Sequence, residues 1–291
     1  MSPLPRWLTA WGFDPVVVTL LLASAALYLR GVSSARVRHP GPSAGADLTR
    51  RCWYFLGGLA VLYVALQSPI EAYSEQRLAI HMVQHLLLTM VAAPLLLLGA
   101  PVTLALRAAT PRGRRRVLLP LLRSRVVRWL FSPLLGWSLF TVVMWGTHFS
   151  PLYDAALRSN GLHALEHLAY MVSAALFWAP LLGVDPNPRR LSHPARILYM
   201  FLAMPQMSLL GLALWGTSSV LYPTYLAVLG PSAAQADQQL AGTLMGSAGM
   251  LFLVPAMGLV LLDWLRHEER TAARIEARED RESREIQEST A

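Results

Sequence analysis

Two pairs of histidines are the residues in this sequence with the clearest capacity for chemistry. His81 precedes His85 by four residues, and His163 precedes His167 by four. Residues four apart lie on one face of a helix, so each pair can direct two imidazoles at one point. Because neutral imidazole is a common metal ligand in proteins, the spacing predicts that each pair supplies ligands to a metal ion.

Both pairs end a repeated segment, residues 68–85 and 150–167. Ser68-Pro69-Ile70 opens the first copy and Ser150-Pro151-Leu152 opens the second, and all matching positions lie 82 residues apart. Each copy joins two apolar stretches and delivers its histidines to the start of the second stretch. The repeat therefore predicts two halves of one metal site.

Further polar residues and methionines are candidates for the same site. His148 ends an apolar stretch, and Asp237-Gln238 opens the last stretch, where the other copies carry histidine. Thioether sulfur together with imidazole suits monovalent copper. The predicted metal ligands are His81, His85, His148, His163, His167 and Asp237. Additional ligands, or residues that orient a ligand, are predicted at Met207, Met204, Glu166 and Gln238, and Met144, Met82 and Met245 are further methionine candidates.

The remaining histidines and several aromatic residues receive structural interpretations. His39, His193 and His267 have no partners recognisable from the sequence, and each is predicted to be solvated. Aromatic side chains with one polar end favour the membrane–water interface. An outer aromatic belt is therefore predicted at Tyr153, Tyr222, Tyr225, Trp145 and Trp215.

The composition places the chain among membrane proteins. It has 291 residues, of which 54% are hydrophobic and 14% charged, and its mean hydropathy is +0.41. A soluble protein of this size would carry more charged residues. No basic patch with interleaved aromatic residues stands apart from the loops that flank apolar stretches, which argues against nucleic-acid binding. The single cysteine, Cys52, excludes an internal disulfide and a two-cysteine metal motif.

The apolar stretches predict the architecture, since a bilayer core needs about 20 apolar residues per helix. The prediction is an all-α polytopic membrane protein, with seven transmembrane helices in residues 1–265 and a charged cytoplasmic tail in residues 266–291. The predicted spans 1 to 7 are Val16–Leu29, Trp53–Gln67, Leu78–Leu98, Trp129–Thr147, Leu162–Leu182, Ile197–Trp215 and Leu240–Trp264. Spans 2–3, 4–5 and 6–7 are predicted to be three hairpins related by an axis along the membrane normal.

The distribution of arginine predicts the orientation. The loops after spans 1, 3 and 5 are rich in arginine, whereas the loops after spans 2 and 4 hold only Arg77 and Arg158, and the loop after span 6 holds none. Because arginine-rich loops stay in the cytoplasm, the N-terminus is predicted outside and the C-terminus inside. The five candidate histidines then lie in the outer part of the bacterial cytoplasmic (inner) membrane.

Three other kinds of protein fit parts of this pattern. His163-Ala164-Leu165-Glu166-His167 matches the H-x-x-E-H motif of zinc hydrolases, in which the glutamate is a general base. The first copy has Gln84 at the equivalent place, and an amide cannot act as a base. A membrane di-iron enzyme generally uses more histidines, on the cytoplasmic side. A bis-histidine haem protein is the third alternative, since spans 3 and 5 could each supply an axial ligand.

The motifs as a set resemble one known family. They are His81-Met82-x-x-His85 followed by leucines and Gly99-Ala100-Pro101, then Trp145-x-x-His148-x-x-Pro151-Leu152-Tyr153, His163-x-x-x-His167 and Asp237-Gln238-Gln239-Leu240-Ala241-Gly242. Together they resemble the seven-span CtaG-type cytochrome c oxidase assembly proteins of bacteria, over about residues 14–265. The family's histidines correspond to His81, His85, His148, His163 and His167, and its acidic position to Asp237.

The resemblance also implies a function, a cofactor and partners. The expected function is that of a non-enzymatic assembly factor that supports the maturation of oxidase copper centres. Copper is the first expected metal and zinc the second, and the usual order of affinities favours copper. The expected partners are cytochrome c oxidase subunits, a periplasmic or other extracytoplasmic copper donor and membrane lipid.

Overall fold

The computed structural model describes residues 10–38, 41–186 and 190–290, and every regular element in these ranges is helical. The all-α prediction is confirmed for this part of the chain. The helices are α1 (Pro15–Arg38), α2 (Pro42–Gln67), α3 (Pro69–Ser74), α4 (Leu78–Leu86, the π-helical segment Leu87–Ala92 and Ala93–Leu98), α5 (Pro101–Ala108), α6 (Pro111–Gly113, the π-helical segment Arg114–Leu118 and Leu119–Arg123), α7 (Arg125–Leu130), α8 (Pro133–His148), α9 (Pro151–Ala156), α10 (Asn160–Leu182), α11 (His193–Gly216), α12 (Pro223–Leu229) and α13 (Pro231–Ala248, the π-helical segment Gly249–Leu253 and Val254–Thr290).

Several helices are long and apolar enough to cross a membrane, which makes this a membrane protein. Within the described ranges there are five such stretches: Pro15–Arg38, Leu78–Ala108, Asn160–Leu182, His193–Gly216 and Pro231–Arg281. They contain predicted spans 1, 3, 5, 6 and 7. Of the seven predicted spans, five therefore correspond to helices of sufficient length and apolarity in the described residues.

The other two predicted spans are helical, but neither reaches this standard. Helix α8 has only 16 residues, because Ser132 caps it and separates it from α7, and a bilayer needs about 20. Helix α2 has 26 residues, but Asp47, Arg50 and Arg51 lie in its first half, so only its second half is free of charge.

The repeated Ser-Pro pair starts a short helix in both copies. The Ser68 side chain accepts a hydrogen bond from the Ile70 N–H at 3.1 Å, and Ser150 accepts one from the Leu152 N–H at 3.3 Å. Serine is a favoured helix cap, and proline suits the first helical position because it lacks an N–H to satisfy. Helices α3 and α9 therefore begin in the same way.

The helices that were predicted to form hairpins are neighbours in the bundle. Helix α2 packs against α4, α8 against α10 and α11 against α13, while α4 also contacts α10 and α13. Helices α11 and α13 approach very closely, because a Cβ atom at Gly211 would lie 2.3 Å from the Gly246 nitrogen. Small residues allow such backbone contact between membrane helices. The threefold axis itself stays a prediction.

The contacts of His193 correct one prediction. His193, at the start of α11, is predicted to be solvated without a partner, but its Nε2 lies 3.2 Å from an Asp263 oxygen of α13. Its ring is also 5.5 Å from that of His267. His39 lies outside the described residues. Helix α13 continues from span 7 to Thr290 without interruption, so the predicted boundary at residue 265 is not a helix end.

Carboxylates from distant segments cap the first turns of two helices. Asp237 of α13 accepts hydrogen bonds from the backbone N–H groups of Leu78, at 2.6 Å, and Ala79, at 3.4 Å. Asp185 caps α5 in the same way, because it accepts a hydrogen bond from the Thr103 N–H at 2.7 Å. A carboxylate satisfies free N–H groups there and complements the positive end of the helix dipole. Asp237 thus fixes the start of α4, on which the first histidine pair lies.

Replacing Asp237 tests this capping role. We expect Asp237→Ala to lower the free energy of unfolding by about 1 kcal/mol, since the N–H groups lose their acceptor. Asp237→Asn retains a side-chain oxygen, so its free energy of unfolding is expected to be closer to that of the wild type. Thermal unfolding in detergent measures both. Equal destabilisation by the two substitutions would contradict the capping role, because the asparagine oxygen would then have no effect.

Candidate metal centre

The structure brings all five predicted histidines together. His81 and His85 lie on the first turns of α4, His163 and His167 on the first turns of α10, and His148 is the last residue of α8. The ring centroids within the two pairs are 4.3 Å and 4.2 Å apart. Between helices, the His81 ring is 5.2 Å from that of His163, and the His85 ring is 5.9 Å from that of His167.

The cluster is closed off from its surroundings. His81, His85, His148 and His163 are buried, and His167 is partly exposed. A buried imidazole needs a partner for each ring nitrogen, and a metal ion can be one of them. We therefore ask which ring atoms have hydrogen-bond partners and which do not.

His81 is held in one tautomer by a chain of hydrogen bonds. The Tyr225 hydroxyl donates its only hydrogen to the Ser74 carbonyl at 2.7 Å. The Tyr225 oxygen, 3.1 Å from His81 Nδ1, must then accept the hydrogen that this nitrogen carries. His81 Nε2 is consequently unprotonated and accepts a hydrogen bond from His85 Nε2 at 2.8 Å, so the free lone pair of His85 lies on its Nδ1. Partners of this kind orient metal-ligating histidines and raise their basicity.

Several buried polar atoms of the cluster histidines and of Glu166 have no hydrogen-bond partner among the described residues. They are both carboxylate oxygens of Glu166, Nε2 of His163, Nε2 of His167 and Nδ1 of His85. Buried polar atoms in proteins are nearly always hydrogen-bonded, so a group of exceptions requires an explanation. Imidazole nitrogens and a carboxylate that lack other partners form an environment that favours a cation.

Two sets of potential ligand atoms in the cluster are close enough to share a metal ion. One atom each from His81, His163 and His167 lies within 4.8 Å of the others, and the same holds for His81, His85 and Glu166. Metal–nitrogen bonds of about 2.0–2.1 Å place the corners of a tetrahedral site about 3.3 Å apart. The residues therefore fit a metal ion after side-chain shifts of an ångström or so, and His81 belongs to both sets.

Tyrosines from the short helices close the outer end of the site. Tyr153, Tyr222 and Tyr225 are 0%, 3% and 1% exposed, so their prediction as an interfacial belt is wrong. The Tyr153 ring packs 5.1 Å from the ring of His81 and 4.4 Å from that of Tyr222. The sequence contains a signal for this role, since Leu152-Tyr153 and Leu221-Tyr222 follow matching Trp-Gly-Thr motifs.

Two further predicted residues are engaged elsewhere. Asp237 caps α4 and belongs to neither set of potential ligands. Gln238 accepts a hydrogen bond from the Leu221 N–H at 2.8 Å and donates one to the Thr217 hydroxyl at 2.6 Å. It therefore fixes the loop between α11 and α12. Asp237 and Gln238 thus support the site by fixing the backbone around it.

The methionines are distributed differently from the prediction. Met207 is buried in the core of the bundle, and Met204 lies beside Gly249. Among the described contacts, the methionine sulfur that meets a cluster histidine belongs to Met82, whose Sδ is 3.3 Å from His148 Nε2. Met82, the residue after His81, is one of the further candidates named from the sequence.

The equivalent positions of the repeat, residues 84 and 166, face different surroundings. Gln84 donates hydrogen bonds to the Ala65 carbonyl, at 2.8 Å, and to the Glu71 carboxylate, both outside the cluster. Burial raises the pKa of the Glu71 carboxyl to about 7. Glu166 instead faces the histidines, with one oxygen 4.0 Å from His81 Nε2. The two halves of the site are thus not chemically identical.

The fold and this cluster define the class: a helical membrane protein with a buried, histidine-rich centre. Comparison with known families gives a more specific result. Residues 26–267 match the family described as cytochrome c oxidase caa3 assembly factor (Caa3_CtaG). The chain belongs to this family, which confirms the resemblance noted from its motifs.

The chain is also similar to uncharacterized mycobacterial proteins. Mb0105 of Mycobacterium bovis and MT0111 of Mycobacterium tuberculosis are each 33% identical to it over 284 residues, and ML1998 of Mycobacterium leprae is 30% identical over 284 residues. Each alignment covers 94% of this chain and 42% of the relative, so the chain spans less than half the length of these relatives. No solved structure matches the chain significantly.

Removing one hydroxyl tests the role of Tyr225. We expect Tyr225→Phe to weaken metal binding by about 10- to 100-fold, because His81 loses the partner that fixes its tautomer. Tyr199→Phe is a matched control, since Tyr199 is also buried but its hydroxyl has no described partner. Metal affinity is measured by competition with a chromophoric chelator. Equal affinity in the two variants would contradict the proposed orientation of His81.

Proposed function

We propose that this protein binds copper in the histidine cluster and supports the maturation of oxidase copper centres as a non-enzymatic assembly factor. The proposed ligands are His81, His85, His163 and His167, with Glu166 as a carboxylate ligand and His148 at the edge of the site. The observation that supports the proposal is the proximity of buried ligand atoms from α4 and α10, several of which have no hydrogen-bond partner among the described residues. Membership of a cytochrome c oxidase assembly family supports the proposal that the copper is destined for the oxidase.

Copper is favoured over zinc by the chemistry of the donors. The set contains imidazoles, one carboxylate and a nearby thioether, and no thiolate. Imidazole sites bind divalent copper more tightly than zinc, and thioether sulfur selects monovalent copper. Zinc is the second choice, because nitrogen and oxygen ligands in tetrahedral geometry also suit it.

The proposed membrane topology places this site at the extracytoplasmic side of the inner membrane. Seven spans would comprise the five long apolar helices together with α2 and α8. The arginine-rich segments then lie in the cytoplasm, as do the C-terminal residues of α13. An extracytoplasmic copper donor and the oxidase subunits would reach the cluster from the outer end, where the short helices α3, α9 and α12 lie.

One alternative has a specific structural basis. Glu166 lies beside His81 and occupies the glutamate position of the H-x-x-E-H motif, so a zinc hydrolase with Glu166 as general base is the second candidate. A hydrolase should lose peptide cleavage but retain its metal when Glu166 is replaced by glutamine. A protein that only binds and transfers copper has no such activity to lose.

Metal analysis and oxidase maturation together test the proposal. We expect purified wild-type protein to carry copper, and His81→Ala to lower its copper affinity by at least about tenfold, since His81 belongs to both ligand sets. His193→Ala is the matched control, because His193 pairs with Asp263 at the other end of the bundle. In cells that lack the native gene, His193→Ala should restore the copper content of the oxidase and His81→Ala should not.

Two results would contradict this function. One is an oxidase that carries its full copper complement in cells that lack the protein. The other is wild-type protein that contains no copper after exposure to it, or that binds copper equally well with and without His81.

A further inference from the structure

A cavity at the outer end of the bundle leads to the histidine cluster. It has a volume of about 360 Å³ and is lined by His148, Asp154, Arg158 and Tyr222, among other residues. Asp154 and Arg158 form an ion pair of 2.9 Å. His148 is the residue that lines this cavity and also contacts α4, through Met82. His148 therefore connects this cavity to the cluster.

His148 is oriented so that an unprotonated nitrogen faces Met82. Its Nδ1 donates a hydrogen bond to the Met144 carbonyl at 2.7 Å, and a carbonyl can only accept. The proton therefore resides on Nδ1, and Nε2 has a lone pair. That lone pair faces Met82 Sδ at 3.3 Å, and a thioether sulfur has no hydrogen to donate.

Because neither atom has a hydrogen to donate to the other, the contact is not a hydrogen bond, and both lone pairs are available to a cation. Met82 is 0% exposed and His148 is 2% exposed, so water does not separate or solvate these atoms. In a tetrahedral site with metal–nitrogen and metal–sulfur bonds of about 2.0 and 2.3 Å, neighbouring ligands lie about 3.5 Å apart. The observed separation of 3.3 Å is close to that value.

We infer that Met82 and His148 form a second position for monovalent copper, between the outer cavity and the histidine cluster. This inference rests on the proposed function and identifies the oxidation state and the route of the metal. Thioether with imidazole is a soft ligand pair that accepts Cu(I) and discriminates against zinc. The pair would receive Cu(I) from the extracytoplasmic side and exclude the commoner divalent ions.

Transfer from this position to the cluster requires ligand exchange and the movement of one proton, from His85 Nε2, which donates to His81 Nε2, to Nδ1 of the same His85 ring. The His148 ring lies 6.2 Å from the His85 ring, and His85 Nε2 is 2.8 Å from His81 Nε2. Copper can exchange the Met82 sulfur and the His148 nitrogen for the nitrogens of His85 and His81 one at a time. Copper stays monovalent throughout, so the step needs neither an oxidant nor a reductant.

Replacing one methionine tests the inference. Met82→Leu is a volume-conserving change that removes the sulfur. Met90→Leu is the matched control, because Met90 is also buried on α4 but lies eight residues, or about 12 Å, further along it. The full-length wild type and both variants are loaded anaerobically with Cu(I) or with Zn(II), and the copper samples are examined by X-ray absorption at the copper edge.

We expect a sulfur ligand in the copper spectra of the wild type and of Met90→Leu, and its loss in Met82→Leu. Met82→Leu should also bind Cu(I) at least tenfold more weakly in this position, while its zinc affinity is unchanged. A wild-type copper spectrum with nitrogen and oxygen ligands alone would overturn the inference and leave the proposed function standing. A sulfur signal that persists in Met82→Leu would do the same. Failure of the wild type to bind any copper would overturn both.

Discussion

Burial of unpaired electron-pair donors around His81 is the physical constraint on which the rest of this structure depends. Each buried polar atom without a hydrogen bond costs about 1–3 kcal/mol, and Glu166, His85, His163 and His167 all contribute such atoms. A cation shared by these groups would offset much of that cost, and the carboxylate would gain most because it bears the charge. The cluster thus contributes little to stability by itself and is better suited to hold an ion.

The surrounding helices hold these donors in place with ordinary backbone chemistry. Ser68 and Ser150 start the short helices that cover the site, and Asp237 fixes the first turn of α4 from the opposite hairpin. The Tyr225 hydroxyl connects α3, through the Ser74 carbonyl, to His81 Nδ1 and so fixes the tautomer of that histidine. Small residues let α11 and α13 approach closely, and α13 in turn contacts the start of α4. Each hairpin therefore contributes to the centre, although two of them supply its histidines.

The histidine cluster and the helical class follow from the sequence, because four-residue spacing and long apolar stretches have direct geometric meaning. The spans were predicted less well: Pro133 shortens α8, and the charged residues of α2 occupy its first half. The capping role of Asp237 and the contact of Tyr225 with His81 could not be read from the sequence, because each depends on a contact between distant segments. Met207 was placed first and Met82 only among the further candidates, because depth along a span does not reveal which sulfur faces a histidine. The family match agrees with the motifs, and the metal is not part of that match.

Locating the metal by anomalous scattering tests the central claim most directly. Crystals of copper-loaded protein, measured on both sides of the copper absorption edge, should show a peak within bonding distance of His81 Nε2 and of a ring nitrogen of His163 or His167. That result would establish one centre built from two membrane helices. A peak that contacts only one histidine pair, or histidine rings of α4 and α10 that lie apart in the experimental structure, would contradict it.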